Sequence, residues 1–85
     1  MEIRYTSEAE ADIFYWKKSG NIAIQRKITK LLEAIQAAPS TGIGKPEQLK
    51  HQLSGCWSRR INDEHRIVYK ILADSIVIIS LRFHY

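Results

Sequence analysis

A carboxylate and an imidazole stand at the two ends of an arginine-rich stretch in the second half of this sequence. Glu47 lies in the segment GKPEQ, His84 follows the apolar run SIVIISLRF, and two arginines, Arg60 and Arg66, lie between them. A carboxylate that stays ionised among arginines can take a proton from a hydroxyl group, and an imidazole can donate one near neutral pH. Guanidinium groups bind phosphate through paired hydrogen bonds and stabilise charge that builds up on it. These residue types would suit in-line cleavage of RNA by its own 2′-hydroxyl group.

The charge distribution is compatible with a polyanionic partner. The formal net charge is +4, and basic residues are concentrated between residues 45 and 70. Such a cluster attracts polyanions, although lysines and arginines are also the ordinary residues of a solvated surface, and the charge count alone favours that simpler interpretation. The cluster consists of Lys45, Lys50, Arg59, Arg60, Arg66 and Lys70, with His51 and His65 among them, against the acidic residues Glu47, Asp63 and Glu64.

The order of the predicted elements is one strand, two helices and then several strands. Ser7 is a candidate N-cap with Glu10 at the capping-box spacing, and Gly20 offers a stop for this first helix. The second helix carries one apolar stripe and ends before Pro39. This order predicts a single α+β domain over residues 1–85, with both helices packed on one face of a twisted antiparallel sheet. The stripe consists of Ile24, Ile28, Leu31, Leu32 and Ile35.

Strand periodicity predicts which side chains face away from the helices. Arg60 has the parity opposite to Trp57, and Arg66 and Lys70 have the parity opposite to the apolar side of the next strand. Arg59 shares the parity of Trp57, so we expect it at a sheet edge or along the rim of the core. All of these assignments hold only where no β-bulge interrupts the pairing. In the last strand, Val77, Ile79, Leu81 and Phe83 are predicted to face the core, and Ile78, Ser80, Arg82 and His84 the open side.

Several classes of protein are disfavoured by composition. Cys56 is the only cysteine, so no internal disulfide can form and a reducing compartment is expected. The N-terminal residues lack the pattern of a signal peptide, and no apolar run is long enough to cross a bilayer. His51, Cys56 and His65 do not have the spacing of a common zinc site. We therefore expect a cytoplasmic protein that needs no metal ion or other cofactor.

The sequence resembles the YoeB/Txe branch of the RelE/ParE toxin superfamily. The resemblance is carried by GKPEQLKHQLSGCWSRRINDEHRIVYKI, by the final RFHY and by SEAEADIFYW near the start, so that it extends over essentially the whole chain. It implies a RelE-like fold, similar to that of microbial ribonucleases, and a ribosome-dependent mRNA endonuclease. It also implies an antitoxin partner of the YefM/Phd type and a homodimer.

The same resemblance assigns roles to individual residues. It implies that Glu47 is the general base and His84 the general acid, and that Arg60 and Arg66 bind the phosphate and the transition state. Lys50 matches a basic position that helps hold the RNA, and Tyr85 is the adjoining aromatic residue, which could stack on a base or form a hydrogen bond to a phosphate. Arg59, the neighbour of Arg60, is grouped with these substrate-binding candidates. Cys56 departs from the pattern, since a bulky apolar residue is expected before the tryptophan.

Two other functions remain open at this point. A binding-only member with the same fold would inhibit a target protein without cutting RNA, and it would be expected to lose Glu47, Arg66 and His84, which this sequence retains. A plain RNA-binding module would be weakened by substitution of Arg60 but unaffected by His84→Ala. Codon preference and activity on free RNA have no signature in the sequence.

Overall fold

The computed structural model describes residues 1–83 and confirms the α+β architecture. In this part of the chain, two helices follow a short strand, and further strands complete a five-stranded sheet. No helix among these residues is both long and apolar enough to cross a membrane. The elements are β1 (Glu2–Tyr5), α1 (Ser7–Ser19), α2 (Ile22–Ala37), β2 (Glu47–Gln48), β3 (Cys56–Arg60), β4 (Arg66–Ile71) and β5 (Ser75–Ser80), with a short 3₁₀ helix at His51–Leu53.

The first helix begins and ends at residues that satisfy its free backbone groups. The Thr6 side chain accepts a hydrogen bond from the Ala9 N–H at 3.1 Å, so Thr6 is the N-cap and the predicted cap, Ser7, is the first helical residue. The Thr6 hydroxyl also donates to the Ile79 carbonyl oxygen at 2.8 Å, which ties the start of α1 to β5. Gly20 ends the helix with φ of 73°, a left-handed conformation that glycine adopts without steric cost.

The sheet has the strand order β1-β5-β4-β3-β2 and departs from the predicted antiparallel arrangement at one edge. β1 runs parallel to β5, whereas the other pairs described in the structure are antiparallel. A tight hairpin forces two strands to run antiparallel, but β1 and β5 are separated by most of the chain, so either direction is available to them. The sequence pattern could therefore identify β1 as a strand without fixing its direction.

The hydrophobic core lies between the two helices and one face of the sheet. The apolar stripe predicted for α2 is confirmed, since its central residues are buried and its outer ones, Ile24 and Leu32, pack at the margin. Each fully buried aliphatic side chain contributes about 1.5–3 kcal/mol, which fixes this face of the sheet against the helices. The buried residues are Ala9, Trp16, Ile28, Leu31 and Ile35 on the helices and Ile61, Ile67, Tyr69, Ile76, Ile78 and Leu81 on and around the strands.

A β-bulge in β5 changes which of its residues face the core. Val68 of β4 pairs with Ser80, whereas the following residue, Tyr69, pairs with Ile78. Ile79 therefore has no partner in β4. An extra residue of this kind shifts the alternation of side chains by one position, so residues before the bulge face the side opposite to the one predicted.

The bulge corrects the predicted parity of β5 in its first half. Ile76 and Ile78 are fully buried in the core, although the uninterrupted pattern assigned that side to Val77 and Ile79. Beyond the bulge the prediction holds for Leu81, which lies in the core, but it is wrong for Phe83, whose side chain is 54% exposed after the strand has ended.

The prediction for Arg82 is wrong, because its side chain lies against α1. β5 ends at Ser80, and the guanidinium carbon of Arg82 is 3.6 Å from the centroid of the Tyr15 ring. A cation over an aromatic face is attracted by the electrons of the ring. Arg82 therefore does not join the basic residues on the open face, and His84, which was predicted to lie there, is outside the described residues.

Candidate active site

Four strands place one residue each in a row across the open face of the sheet. Glu47 in β2 pairs with Ser58 in β3, and Ser58 pairs in turn with Val68 in β4. Val68 pairs with Ser80 in β5. Opposite residues of an antiparallel pair have their side chains on the same face. Because Tyr69, the neighbour of Val68, points into the core, the row faces away from the helices.

Arg66 reaches over this row and brings a guanidinium group to the carboxylate. Its Nη1 donates to the Ser58 hydroxyl oxygen at 3.1 Å and lies 3.6 Å from Glu47 Oε1. The Arg66 side chain is only 22% exposed, whereas that of Glu47 is 62% exposed. An ion pair with one exposed partner contributes only about 0–1 kcal/mol to stability. Its consequence is therefore mainly geometric, since Ser58 and Glu47 together fix the direction of the guanidinium.

A second guanidinium lies directly beside the first. Arg60 in β3 is the pairing partner of Arg66 in β4, and its half-exposed side chain is 4.0 Å from Asp63 Oδ1. Like charges opposite each other in a sheet are unfavourable, and an anion bound between them would relieve that repulsion. The open face thus holds two cations beside a carboxylate, an arrangement able to bind a phosphodiester next to a base.

Arg59 lies on the other side of the same strand and is fully buried. Its Nη2 donates to the carbonyl oxygens of Ala38 and Thr41 at 2.5 Å and 2.7 Å, and its Nη1 donates to that of Ile43 at 3.0 Å. Its Nε donates to the Tyr69 hydroxyl at 3.0 Å. This geometry corrects the assignment of Arg59 to substrate binding, because its guanidinium is committed to the loop that leads into β2 and faces the core.

The loop held by Arg59 carries Glu47 at its end. The Tyr69 hydroxyl donates to the Pro39 carbonyl oxygen at 2.6 Å, and the Arg60 N–H donates to the Gly44 carbonyl oxygen at 2.7 Å. A Cβ atom on Gly44 would lie 2.7 Å from Leu31 Cδ2 and 3.1 Å from Arg59 Cβ, so only glycine allows this close approach. The loop is therefore fastened to α2, β3 and β4, which fixes the position of β2 at the sheet edge.

Tyr69 gives this support a measurable dependence on pH. Burial raises the pKa of the Tyr69 hydroxyl above its ordinary value of 10.0, while the hydrogen bond and the charge of Arg59 act in the opposite direction. The folded protein holds this proton more tightly than the unfolded chain does. Its contribution to stability is therefore complete below about pH 10 and is lost as the pH rises from there through the folded pKa.

Substitution of Tyr69 by phenylalanine should remove that dependence. We expect Tyr69→Phe to be less stable than the unmodified chain near neutral pH by about 1–3 kcal/mol, because the hydroxyl joins Arg59 to the loop. This difference should shrink above about pH 10. Urea unfolding of both proteins at about pH 8 and about pH 11 measures this difference in the free energy of unfolding. Deprotonation of lysines affects both proteins alike and therefore leaves the difference unchanged. A difference that does not change with pH would contradict the expectation.

The structure does not bring the other candidates from the sequence into this group within the described residues. Lys50 is exposed on the connection that follows β2. His84 and Tyr85 lie outside the described residues. Within the described part, no three His, Cys, Asp or Glu side chains come together as a metal site.

One residue of the site was not identified as a candidate from the sequence. Ser58 is fully buried and accepts the hydrogen bond that orients Arg66. Its parity already placed it on the face of Arg60. Ser58 is a small polar residue on the same face as Arg60, in a strand that contains two arginines. That combination is the signal that could have marked it as a hydrogen-bond partner for an arginine.

Comparison with known proteins places these features in one family. Residues 5–85 match the model of the YoeB-like toxin of bacterial type II toxin–antitoxin systems. The Toxin YoeB of Escherichia coli K12 is 44% identical over 85 residues, which cover all of both chains. A YoeB/ParE toxin from Agrobacterium tumefaciens is 36% identical, with a TM-score of 0.94 over all of both chains.

Solved structures from Staphylococcus aureus agree with this likeness. A chain of its YoeB–YefM complex is 41% identical with a TM-score of 0.88, and a chain of its YoeB dimer is 40% identical with a TM-score of 0.89. Each match covers all of this chain and 98% of the other. The resemblance noted in the sequence is therefore confirmed over nearly its full length, and the chain belongs to the YoeB-like toxins of bacterial type II toxin–antitoxin systems.

Proposed function

We propose that this toxin is a ribosome-dependent endoribonuclease that stops translation by cutting mRNA in the cytoplasm. The observation that carries the proposal is the position of Glu47 Oε1, 3.6 Å from Arg66 Nη1 on the open face. Arg60, opposite Arg66 in the sheet, adds a second guanidinium. A carboxylate beside two cations can act as a base while the cations hold the phosphate on which it acts.

The proposed reaction uses the 2′-hydroxyl group of the RNA as the nucleophile. Glu47 takes the proton of that hydroxyl, and the 2′-oxygen forms a bond to the adjacent phosphorus. The bond from phosphorus to the 5′-oxygen breaks, and the protonated imidazole of His84 gives its proton to the departing oxygen. The products are a 2′,3′-cyclic phosphate and a free 5′-hydroxyl end, and Arg60 and Arg66 stabilise the additional negative charge on phosphorus.

Two further residues would extend the contact with RNA. Lys50 lies on the connection that follows Glu47, where it would contact the phosphate backbone as a point charge. Tyr85 would stack on a base next to the scissile bond. Neither residue needs to take part in proton transfer, so their loss would weaken binding more than it slows the chemical step.

We also propose that a YefM-type antitoxin neutralises this chain and that the chain forms homodimers. The Staphylococcus aureus relatives, which cover this chain fully, form a YoeB–YefM complex and a YoeB dimer. The basic open face would suit an acidic, partly disordered antitoxin segment that folds as it binds. Binding of that segment over Arg60 and Arg66 would exclude RNA from the same surface.

The test is expression of the chain in cells that lack an antitoxin, with primer extension to map the ends of a reporter mRNA. The unmodified chain should arrest growth and produce new mRNA ends, and His84→Ala should strongly reduce both because the leaving oxygen loses its proton donor. His51→Asn is the matched control, since it removes another histidine and asparagine tolerates its left-handed φ of 61°.

Two outcomes would contradict the proposal. Growth arrest without new mRNA ends would favour the binding-only function, in which the same fold blocks a target protein. Unchanged cleavage by His84→Ala would show that the imidazole is not the acid.

A further inference from the structure

The segment after β5 is held by α1 although it is not part of a strand. β5 ends at Ser80, and Asp12 Oδ2 accepts a hydrogen bond from the Leu81 N–H at 2.9 Å. The indole Nε1 of Trp16 donates to the Leu81 carbonyl oxygen at 3.0 Å. Asp12 and Trp16 are both nearly buried, so α1 satisfies both backbone groups of Leu81 from one face.

The β3–β4 hairpin holds the same segment two residues later. The Phe83 N–H donates to Nδ1 of His65 at 2.7 Å, and the Phe83 carbonyl oxygen accepts from the Arg66 N–H at 2.8 Å. His65 is itself fixed, since its N–H donates to Asn62 Oδ1 at 2.7 Å in the hairpin turn. Two consecutive residues of the hairpin thus bind both backbone groups of Phe83.

The imidazole of His65 is built into the core rather than exposed to solvent. It is only 7% exposed and packs edge-on against the Trp16 ring, with 4.9 Å between the ring centroids. Because Nδ1 accepts the hydrogen bond from Phe83, this nitrogen carries no proton. The other ring nitrogen, Nε2, lies 3.5 Å from Glu64 Oε1. One tautomer of His65 therefore suits both of its neighbours.

The backbone of Phe83 is also held in an uncommon conformation. Phe83 has φ of 62°, a left-handed conformation that is uncommon for a residue other than glycine. Such a conformation costs about 1–3 kcal/mol and persists only where surrounding contacts enforce it. The next residue in the sequence is His84.

We propose that Asp12, Trp16 and His65 are positioning residues that hold Leu81–Phe83 and thereby fix where His84 is presented to the substrate. The inference rests on the proposed function. His65 and Arg66 are adjacent, so the hairpin that carries Arg66, the proposed transition-state arginine, also binds Phe83, the residue before the proposed general acid. The strand that carries Arg66 is therefore joined directly to the segment that leads to His84, and no contact of His65 with RNA is needed.

Substitution of His65 tests this role directly. His65→Leu removes the Nδ1 acceptor and keeps an apolar side chain, whereas His65→Asn places an oxygen acceptor close to the former Nδ1. In single-turnover cleavage of mRNA on ribosomes, we expect His65→Leu to be about tenfold to a hundredfold slower, because a misplacement of about 1 Å can reduce a rate to this extent. The ribosome concentration that gives half of the maximal rate should change by no more than about twofold, because ribosome binding is unaffected. His65→Asn should recover much of the rate.

A second background separates positioning from a general structural role. When combined with His84→Ala, His65→Leu should slow the residual cleavage no further, because its effect acts through His84. An equal loss in both backgrounds would overturn the inference. Trp16→Phe, which removes the indole N–H and keeps an aromatic ring, offers the same comparison if His65→Leu does not fold.

Hydrogen exchange provides a readout that does not depend on activity. The Phe83 amide should exchange faster in His65→Leu than in the unmodified chain, and His65→Asn should restore its protection. Unchanged protection of Phe83 in His65→Leu would overturn the inference, whatever the cleavage rates are. If the unmodified chain cut no mRNA, the proposed function would fail with the catalytic part of this inference, and exchange would still decide whether His65 holds the segment.

Discussion

Arg59→Met is expected to lower the free energy of unfolding by about 3–5 kcal/mol, the largest stability effect we anticipate for a single substitution in this domain. Methionine roughly preserves the volume of the side chain but cannot donate to the carbonyl oxygens of Ala38, Thr41 and Ile43. The Tyr69 hydroxyl loses its donor at the same time. Each buried polar group left without a partner costs about 1–3 kcal/mol, with partial relief where water reaches the loop.

The neighbouring residue provides a matched control for that substitution. Arg60→Met removes the same charge from the adjacent position of the same strand, but the Arg60 side chain is 44% exposed and faces solvent. We expect its effect on stability to stay within about 0.5 kcal/mol. Urea unfolding monitored by tryptophan fluorescence measures both variants. Equal midpoints for the two would show that the buried guanidinium does not support the fold.

A lysine at the same position distinguishes geometry from charge. Arg59→Lys keeps the positive charge, but its single ammonium group cannot reach acceptors that the planar guanidinium meets on several sides. We therefore expect Arg59→Lys to recover little of the stability lost in Arg59→Met. A lysine variant as stable as the unmodified chain would indicate that charge alone accounts for the effect.

The sequence predicted those parts of the fold whose side chains keep a clear period. The apolar stripe of α2 repeats with the helical period, and alternation in β3 and β4 placed Arg60 and Arg66 on one face, as their pairing confirms. A hairpin joins these two strands, so their relative direction followed from the short turn between them. Periodicity was sufficient there because apolar and charged residues alternate.

The last strand could not be predicted in the same way. In SIVIISL almost every position is apolar, so neither face is marked and a one-residue shift leaves no trace in the sequence. The bulge at Ile79 reverses the parity of the residues before it, and the end of β5 at Ser80 frees Arg82 to stack on Tyr15. Both features depend on contacts with α1 and β4, which are distant in sequence.

The sequence predicted which of the charged candidates share a face of the sheet, but not which groups support them. The unusual parity of Arg59 marked it as an exception, yet apart from the Tyr69 hydroxyl its partners are backbone carbonyl oxygens of residues 38–43, which have no side-chain signature. Glu47 was singled out by its loop and by family resemblance, and the structure places it on the face of Arg66 through a strand of two residues. Sequence periodicity therefore predicts which charged residues share a face, whereas the backbone acceptors of a buried guanidinium are seen only in the three-dimensional structure.

Glu47→Gln should reduce the rate of mRNA cleavage by about 10²–10⁴-fold, because the amide cannot take the proton of the 2′-hydroxyl group. The fold should be unaffected, since the Glu47 side chain is exposed and its ion pair with Arg66 contributes little to stability. Glu2→Gln is the matched control, because Glu2 lies on the same face at the opposite edge of the sheet. An equal loss of activity in the control would point to the net charge of the face instead.

The double substitution decides whether Glu47 and Arg66 act as one catalytic unit. Arg66→Met alone should slow the chemical step by about 10²–10³-fold, because one donor to the developing charge is lost. If base and cation act on the same phosphodiester, the combined loss in Glu47→Gln/Arg66→Met should be well short of the product of the single losses. Single-turnover rates on programmed ribosomes measure all four proteins. Fully multiplicative losses would mean that the two residues contribute independently and that their 3.6 Å contact is not part of a shared site.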